Sequence, residues 1–327
     1  MFGRLKEYHV NGQKVFFTFE GAEAHTRPCI EVISDWIINV FADYTGTGHR
    51  TRAIEGELGE RLNGCSALEN NGDAQENKNL PEVLWEESSV VISTSKLTVK
   101  VSDGFLVDFY DKQGRPLSMA YRGKRKKAAL ISQAALELLA KEGHEASVVA
   151  GEDYRVQEVR CLEDADCIYG LGDKTGFLNK RHYEYEMWNS DIPDPQEDNF
   201  KSLYKSIPFM LVLKEEGRYG IFFDNHNKTY FDLGKECNDY YLFGADDGNL
   251  DYYFIGGESL KNVISGYTSL TGRAPMQQLW TLGYHQSRWG YESEVQIREV
   301  AGKLREYHLP CDCIHFDIDY MDHYKVF

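Results

Sequence analysis

The sequence lacks any apolar run of the ~18 to 20 residues that a membrane-spanning helix needs. Its first 20 residues alternate charged with apolar side chains, and they lack the continuous apolar core of a signal peptide. We therefore expect a cytoplasmic protein that has no membrane partner.

Positive charge is also scarce, because 36 Lys and Arg residues face 52 Asp and Glu residues and the formal net charge is −16. Nucleic-acid binding depends largely on neutralising phosphates with Lys and Arg, so a nucleic-acid partner is excluded. A neutral ligand such as a sugar is compatible with this charge. The basic run at residues 122–127 could contact an anion or a membrane surface, but such a run is more often a solvated loop.

Paired CxxC spacing and a companion histidine cluster are both missing. The seven cysteines form an odd, scattered set, which predicts neither a disulfide framework nor a zinc site. The glycines of residues 170–176 follow GxGxxxG spacing, which departs from the GxGxxG of phosphate-binding loops, and no clear helix follows them. We therefore expect no metal and no organic cofactor.

Short alternating runs broken by turn residues dominate residues 1–270, as is typical of an antiparallel β-sandwich. In the clearest example, apolar residues alternate from Leu97 to Val101, a turn follows at residues 102–104, and alternation resumes at Phe105. This pattern predicts a β-hairpin. Residues 126–141 are rich in Ala, Leu and Glu and predict one helical excursion from the sheets, and residues 60–79 and 192–199 are candidate linkers.

After Pro275 the pattern changes to strand, helix and strand, predicted at residues 279–285, 294–308 and 311–317. Ser293 and Gln296 have capping-box spacing at the start of the helix. This unit predicts a second domain, residues 271–327, that begins a parallel α/β fold. A parallel pair of strands needs further strands and covered faces, so we expect this domain to be incomplete.

Acidic residues follow the last predicted strand. His315, Asp317 and Asp319 lie two residues apart, so they share one face as long as the strand continues. A solvated strand end, or an Asp that caps a turn, is the plain interpretation. In a β/α barrel, however, active sites gather at the carboxyl ends of the strands.

Six segments carry a resemblance to a known family: 169–176 (YGLGDKTG), 185–191 (YEMWNSD), 203–209 (LYKSIPF), 220–224 (GIFFD), 280–291 (WTLGYHQSRWGY) and 315–322 (HFDIDYMD). Together they resemble glycoside hydrolase family 31. The resemblance covers roughly residues 155–327. It implies a galactose-mutarotase-like β-sandwich followed by a (β/α)8 TIM barrel. It also implies that terminal, non-reducing α-linked glucose is cleaved with retention of configuration.

By the same resemblance, Asp317 would bind hydroxyls of the minus-one sugar and Ile318 would border that subsite. Asp191 would reach the plus-one sugar, and Trp289 would add an aromatic wall. For Asp191 a plain loop carboxylate is the alternative, and for Trp289 a structural aromatic residue at the barrel rim. Arg288 has the same ambiguity as Trp289, and we expect Asp319 to support the site rather than to bind sugar.

The family's two catalytic aspartates come from later barrel strands, so we expect both beyond Phe327 and assign no catalytic residue to this chain. The sequence after Asp317 resembles the α-glucosidase form of the motif more than the α-xylosidase form, which has an aromatic residue there. The expected partner is an α-glucoside, and assembly as a homo-oligomer stays open. A non-catalytic sugar-binding sandwich, or an inactive remnant, is the alternative function. We expect the isolated chain to be inactive or poorly soluble.

Overall fold

The computed structural model describes residues 2–48, 51, 53–54, 81–126, 154–192 and 200–326. These residues form two compact units, Met1–Gly272 and Arg273–Phe327. The predicted helix at 126–141 and most of both predicted linkers lie outside the described residues. Neither described α-helix has the length and apolar character that crossing a bilayer requires.

The first unit consists mainly of β-strands. In chain order they are β1 Leu5–Asn11, β2 Lys14–Phe19, β3 Cys29–Ser34, β4 Ile37–Ala42, β5 Glu82–Glu86, β6 Ser89–Ser93, β7 Leu97–Ser102, β8 Leu106–Asp111, β9 Pro116–Ser118, β10 Val156–Cys161, β11 Cys167–Gly172, β12 Glu184–Met187, β13 Ser206–Lys214, β14 Gly217–Phe223, β15 Thr229–Asp232, β16 Tyr240–Ala245 and β17 Leu250–Gly256. One helix, α1 Leu260–Thr271, ends the unit.

The strands form a sandwich of two layers. One layer is an eight-stranded antiparallel sheet in the order β1-β2-β3-β4-β17-β14-β13-β11. The other layer consists of a five-stranded sheet, β5-β6-β7-β8-β9, and a four-stranded sheet, β10-β16-β15-β12. Backbone hydrogen bonds beside β9 and β10 join these two sheets, from Tyr121 N to Val159 O and from Cys161 N to Met119 O, both 2.9 Å.

The predicted hairpin is confirmed as β7 and β8, where Val99 lies opposite Phe109 and Val101 opposite Val107. All four side chains are buried, so the alternating pattern marks the face that packs on the core. The turn lies one residue later than predicted, because Asp103–Phe105 forms a short 3-10 helix and Phe105 has a φ of 56°.

Helix α1 covers the outer face of the eight-stranded sheet. Its Val263 and Leu270 are buried against Phe209, Phe222 and Ile255 of that sheet. Every residue of β17 is consequently buried, since one face meets the opposite layer and the other meets α1. A strand covered on both sides is mostly apolar, as the LDYYFIG segment shows. Its one charged residue, Asp251, is buried and accepts a hydrogen bond of 2.6 Å from Asn39 Nδ2.

The basic run at residues 122–127 was predicted to be a solvated loop, and residues 122–126 do form an irregular segment that is exposed except at Arg125. Arg122 Nη2 lies 2.6 Å from Oδ2 of the buried Asp108. Arg125 Nη2 lies 2.6 Å from Glu236 Oε2, and both of those side chains are largely shielded from solvent. The charges therefore tie the segment after β9 to the sandwich.

The second unit is a βαβ unit made of β18 His285–Gln286, α2 Glu294–Glu306 and β19 Cys313–Ile314. The strands pair in parallel, with His285 opposite Cys313. The predicted helix is confirmed to within two residues. Its predicted cap is also confirmed, because Ser293 Oγ accepts a hydrogen bond from Gln296 N. The Gln296 side chain bonds back to Glu292 N rather than to Ser293 N, at 3.0 Å.

Both predicted strands of this unit are shorter than expected. The first begins at His285, and Leu279–Leu282 forms a 3-10 helix instead. The second ends at Ile314, and Asp317 has a φ of 61°. Because this left-handed conformation interrupts the two-residue alternation, the prediction that His315, Asp317 and Asp319 share a strand face is wrong beyond His315.

Candidate functional site

The carboxyl ends of β18 and β19 position four of the residues singled out in the sequence. The chain leaves β18 through Arg288 and Trp289, and it leaves β19 through Asp317 and Ile318. Because the strands are parallel, both segments emerge at the same edge. This edge has the chemistry of a sugar subsite, with a carboxylate to accept hydroxyl protons and apolar surfaces beside it.

Asp317 is exposed, and Ile318 is 45% exposed. A left-handed backbone costs an L-residue other than glycine roughly 1 to 2 kcal/mol. Such strain persists where the surrounding structure enforces it, and it is common at functional sites. Trp289 is 82% exposed, so its indole face is available for stacking. Arg288 instead lies over the buried Tyr291 ring, 5.9 Å from the ring centroid.

Asp319 connects the two segments. Its Oδ1 accepts a hydrogen bond of 3.1 Å from the Tyr324 hydroxyl. Its Oδ2 lies so close to Gly290 that a Cβ at that position would overlap it. Gly290 also has a φ of 82°, so both its backbone and the neighbouring carboxylate require glycine. The supporting role expected for Asp319 stays a prediction, and this geometry is compatible with it.

The sandwich presents a second group of residues around Asp191, in the segment that follows β12. Asp191 is exposed, and it lies close enough to the Tyr204 hydroxyl for its charge to affect that phenol. Partial desolvation and the Asp191 charge together raise the pKa of the Tyr204 phenol. Trp188 and Tyr204 are 58% and 53% exposed. A carboxylate with two exposed aromatic side chains nearby in the chain is a combination suited to sugar rings.

Hydrogen bonds fix the path of the Asp191 segment. Asn189 Oδ1 accepts from Ser206 N at 3.1 Å and from Ser206 Oγ at 2.8 Å. Ser202 Oγ donates to Trp188 O and lies 3.1 Å from Ser190 Oγ. Ser206 at the start of β13 and Ser202 shortly before it therefore hold residues 188–190 in place.

The glycines of residues 170–176 serve strand packing. Gly170 and Gly172 have φ values of 109° and 81° in β11. A Cβ on Gly172 would overlap the Lys205 carbonyl oxygen, and one on Gly170 would lie 2.6 Å from Phe209 O. The spacing therefore reflects the close approach of β13 to β11, in agreement with the exclusion of a phosphate loop.

Comparisons with known proteins support the same family. A model described as the glycosyl hydrolase 31 N-terminal galactose mutarotase-like domain matches residues 29–232, and one described as the glycosyl hydrolases family 31 TIM-barrel domain matches residues 274–327. The chain belongs to glycoside hydrolase family 31. Its first unit is accordingly a galactose-mutarotase-like β domain, and its second is the beginning of the family's TIM-barrel domain.

Curated relatives in family 31 are α-glucosidases. The chain is 38% identical over 245 residues to alpha-glucosidase 2 of Bacillus thermoamyloliquefaciens, covering 74% of this chain and 28% of that protein. It is 29% identical over 190 residues to neutral alpha-glucosidase AB of Homo sapiens, covering 51% of this chain and 20% of that protein. The chain thus spans less than a third of the length of either relative.

A solved structure of the Flavobacterium johnsoniae GH31 dextranase complexed with glucose is also similar. The TM-score is 0.72 at 30% identity, and the match covers 98% of this chain and 34% of the dextranase. A GH31 α-xylosidase from a soil metagenome, at 18% identity and a TM-score of 0.63, shares the fold.

Sequence reasoning missed two features of these regions. The proximity of Tyr204 to Asp191 joins two segments that were quoted separately, and the pairing of β12 and β13 with their neighbours brings them together. The side chains of His285, Cys313 and His315 also meet, although the sequence predicted no metal cluster. Their donors come from two strands, so a search for CxxC spacing could not find them.

Proposed function

We propose that this chain is part of an α-glucosidase-type enzyme that removes terminal, non-reducing α-linked glucose from oligosaccharides or α-glucosides with retention of configuration. Membership of family 31 supports glycoside hydrolysis. The α-glucosidase names of the curated relatives support glucose as the sugar that is released.

The observation that carries the proposal is the exposed, left-handed Asp317 at the carboxyl end of β19. A carboxylate can accept hydrogen bonds from two adjacent sugar hydroxyls, and such charge-assisted bonds contribute about 1.5 to 3 kcal/mol each. Asp317 would bind the minus-one glucose in this way, and Ile318 and Trp289 would supply apolar contacts around it.

In the proposal, Asp191 binds a hydroxyl of the plus-one sugar. The Tyr204 hydroxyl would hold the carboxylate in place, and the exposed faces of Trp188 and Tyr204 are suited to stacking on a pyranose ring. The Asp191 segment would then contribute to the hydrolysis of substrates that carry a second sugar. It would contribute much less to the hydrolysis of substrates that carry a simple aryl group.

Retaining hydrolysis requires a nucleophilic carboxylate and an acid/base carboxyl about 5 to 5.5 Å apart on either side of the glycosidic bond. The proposal assigns neither role to a residue of this sequence. Asp317 and Asp191 are given binding roles only. Cytoplasmic localisation remains part of the proposal, and the six cysteines among the described residues, all free thiols, suit a reducing compartment.

The test is to express the complete reading frame that contains this chain and to assay it with an aryl α-glucoside, an aryl α-xyloside and an α-linked glucose disaccharide. Asp317→Ala should lower kcat/KM on the glucoside by at least about 10- to 150-fold, the equivalent of one of its two charged hydrogen bonds. Asp322→Ala is the matched control, because this nearby aspartate is exposed and, among the described residues, its side chain pairs only with the neighbouring His323. Asp191→Ala should impair the disaccharide more than the aryl glucoside.

Wild-type kcat/KM in Asp317→Ala would contradict the proposed subsite, and preference for the xyloside would contradict glucose. An expressed protein that binds glucose oligosaccharides without cleaving any of them would instead support the non-catalytic sugar-binding alternative.

A further inference from the structure

Three potential metal donors project from the same face of the β18 and β19 pair. His285 and Cys313 are register partners across the two strands. His315 N donates to Gln286 O at 2.9 Å, so the pairing continues far enough to keep His315 on the face of Cys313. His285 Nδ1 and His315 Nε2 lie 3.0 Å apart. One donor atom from each of the three residues lies within 4.8 Å of the other two.

We propose that His285, Cys313 and His315 form a binding site for a divalent transition-metal ion, with Zn²⁺ as the best match. Imidazole nitrogen and thiolate sulfur are the donors that zinc prefers, whereas Mg²⁺ and Ca²⁺ require oxygen ligands. Three protein ligands leave the fourth tetrahedral position open to water or another small ligand. The proposal does not depend on glycosidase activity.

The spacing of the donors suits this ion. Zinc bonds of about 2.0 to 2.1 Å to nitrogen and about 2.3 Å to sulfur give tetrahedral edges of about 3.3 Å between nitrogens and about 3.6 Å from nitrogen to sulfur. The two ring nitrogens, now 3.0 Å apart, would need to separate by only a few tenths of an ångström. Side-chain rotation supplies such a movement without any change in the strand pairing.

The surroundings of His285 also favour a ligand. The Trp280 ring stacks on the imidazole with a centroid distance of 6.0 Å and an interplanar angle of 6°, which fixes the plane of the ring. His285 Nε2 is buried and has no hydrogen-bond partner among the described residues. In the proposed site Nδ1 faces the ion, so Nε2 would carry the ring proton.

Metal binding would link the two strands through their side chains. His315 lies two residues before Asp317, so the ion would also fix the start of the segment that carries the proposed sugar-binding carboxylate. Without metal, the same two histidines form a hydrogen-bonded pair, in which one ring donates to the other. The experiment distinguishes the metal site from the metal-free histidine pair by measuring whether the chain takes up one metal ion.

The experiment is titration of the chelator-treated, reduced chain with Zn²⁺, followed by Co²⁺ as a spectroscopic probe. We expect one Zn²⁺ per chain and a thiolate-to-cobalt charge-transfer band. Cys313→Ser should remove the band and weaken Zn²⁺ binding by at least about a hundredfold, since one of three protein ligands is lost. Cys311→Ser is the matched control, two residues earlier, and it should retain both the band and the affinity. Mg²⁺ should not compete.

A second measurement does not depend on variants that fold. Zn²⁺ should slow the alkylation of Cys313 in the wild-type chain and leave Cys311 unprotected, as followed by peptide mass spectrometry. The proposal is overturned by zinc uptake below one equivalent per chain, by equal protection of the two cysteines, or by binding that persists in a folded Cys313→Ser chain.

Discussion

Nη1 of Arg160 lies 2.8 Å from Oε1 of Glu158 inside the β-sandwich, and the guanidinium of Arg160 is completely buried. Three more of its N–H groups also donate hydrogen bonds. Nη1 donates to Val107 O, Nη2 to Ser118 O, each at 2.7 Å, and Nε to Ser118 Oγ at 3.1 Å. Arg160 belongs to β10, and its partners Val107 and Ser118 belong to β8 and β9. The charge therefore joins the five-stranded and four-stranded sheets.

Replacing Arg160 by methionine should destabilise the sandwich by about 3 to 5 kcal/mol, the usual cost of leaving one partner of a buried ion pair alone. Burial already raises the pKa of Glu158, although Arg160 opposes that effect. Loss of the guanidinium should therefore raise the pKa of Glu158 further. Urea unfolding followed by tryptophan fluorescence measures the change.

The matched control is Arg155→Met. Arg155 makes an even shorter ion pair, 2.6 Å to Asp247 Oδ1, but both members of that pair are exposed. Exposed pairs contribute about 0 to 1 kcal/mol. Equal losses in the two variants would contradict the assignment of Arg160 as the link between the sheets.

The two layers of the sandwich meet at a pair of stacked rings. Phe109 of β8 and Phe254 of β17 have ring centroids 4.0 Å apart and nearly parallel planes, and both are completely buried. Phe254→Ala should therefore cost about 3 to 5 kcal/mol, because a large cavity opens between the layers. Phe254→Leu should cost less, since it fills part of that space. Thermal and urea unfolding provide the measurement.

Phe177→Ala serves as the comparison for Phe254→Ala, because the Phe177 side chain is 75% exposed. Its removal should change the free energy of unfolding by about 0.5 kcal/mol or less. A loss of less than about 1 kcal/mol in Phe254→Ala would show that the layers can close over the cavity.

Most of the sandwich could be predicted because its strands have one buried face. The alternation around Val99 and Phe109 identified a hairpin correctly, since the buried face imposes a period of two. The run at residues 279–285 failed as a strand because a strand exists only where it pairs. Leu279 and Leu282 are exposed in a 3-10 helix, and pairing begins at His285.

The candidate sites follow the same rule. Asp317 and Asp191 were singled out because each lies within a local motif that resembles the family. The proximity of Tyr204 to Asp191 and the contact between His285 and His315 join different segments of the chain. Such contacts depend on which strands are neighbours, and a local pattern does not contain that information. The shielding of Arg125 was missed for the same reason, because its partner Glu236 is distant in sequence.

The partly buried carboxyl group of Asp232 makes the stability of the sandwich depend on pH. Asp232 accepts hydrogen bonds from the backbone N–H groups of Gly234, Lys235 and Glu236 at 3.0 to 3.2 Å. Burial nevertheless raises its pKa from 3.8 to about 6. Between these two values the folded chain holds a proton that the unfolded chain has released, so the free energy of unfolding falls as pH rises from about 4 to 6.

Asp232→Asn should remove this dependence, because the amide oxygen still accepts hydrogen bonds but does not titrate. Between pH 3.5 and pH 7, the free energy of unfolding of the wild-type chain should fall by at most about 3 kcal/mol relative to that of the variant. Between about pH 4 and 6 the slope should be about 1.4 kcal/mol per pH unit. Urea unfolding at a series of pH values measures the difference. Parallel stability curves for the two chains would contradict the raised pKa.

Gly172 provides the last prediction, and Gly12 is its control. Both have positive φ, 81° and 60°, so an alanine at either site bears the same left-handed strain of about 1 to 2 kcal/mol. At Gly12 an added Cβ meets no atom within 4 Å, whereas at Gly172 it would overlap the carbonyl oxygen of Lys205. Gly172→Ala should therefore cost about 1 to 3 kcal/mol more than Gly12→Ala, as for other overpacked sites.

The clash at Gly172 also has a local consequence. Lys205 follows Tyr204, so displacing its backbone should move the Tyr204 hydroxyl away from Asp191 and lower the raised pKa of the phenol. The tyrosines are titrated spectroscopically in Gly172→Ala and in Gly12→Ala. Repeating each titration with Tyr204→Phe added identifies the contribution of the Tyr204 phenol. The prediction is contradicted if Gly172→Ala is as stable as Gly12→Ala and Tyr204 titrates alike in both. In that case β11 and β13 can separate without disturbing the Asp191 segment, and Gly172 does not position that segment.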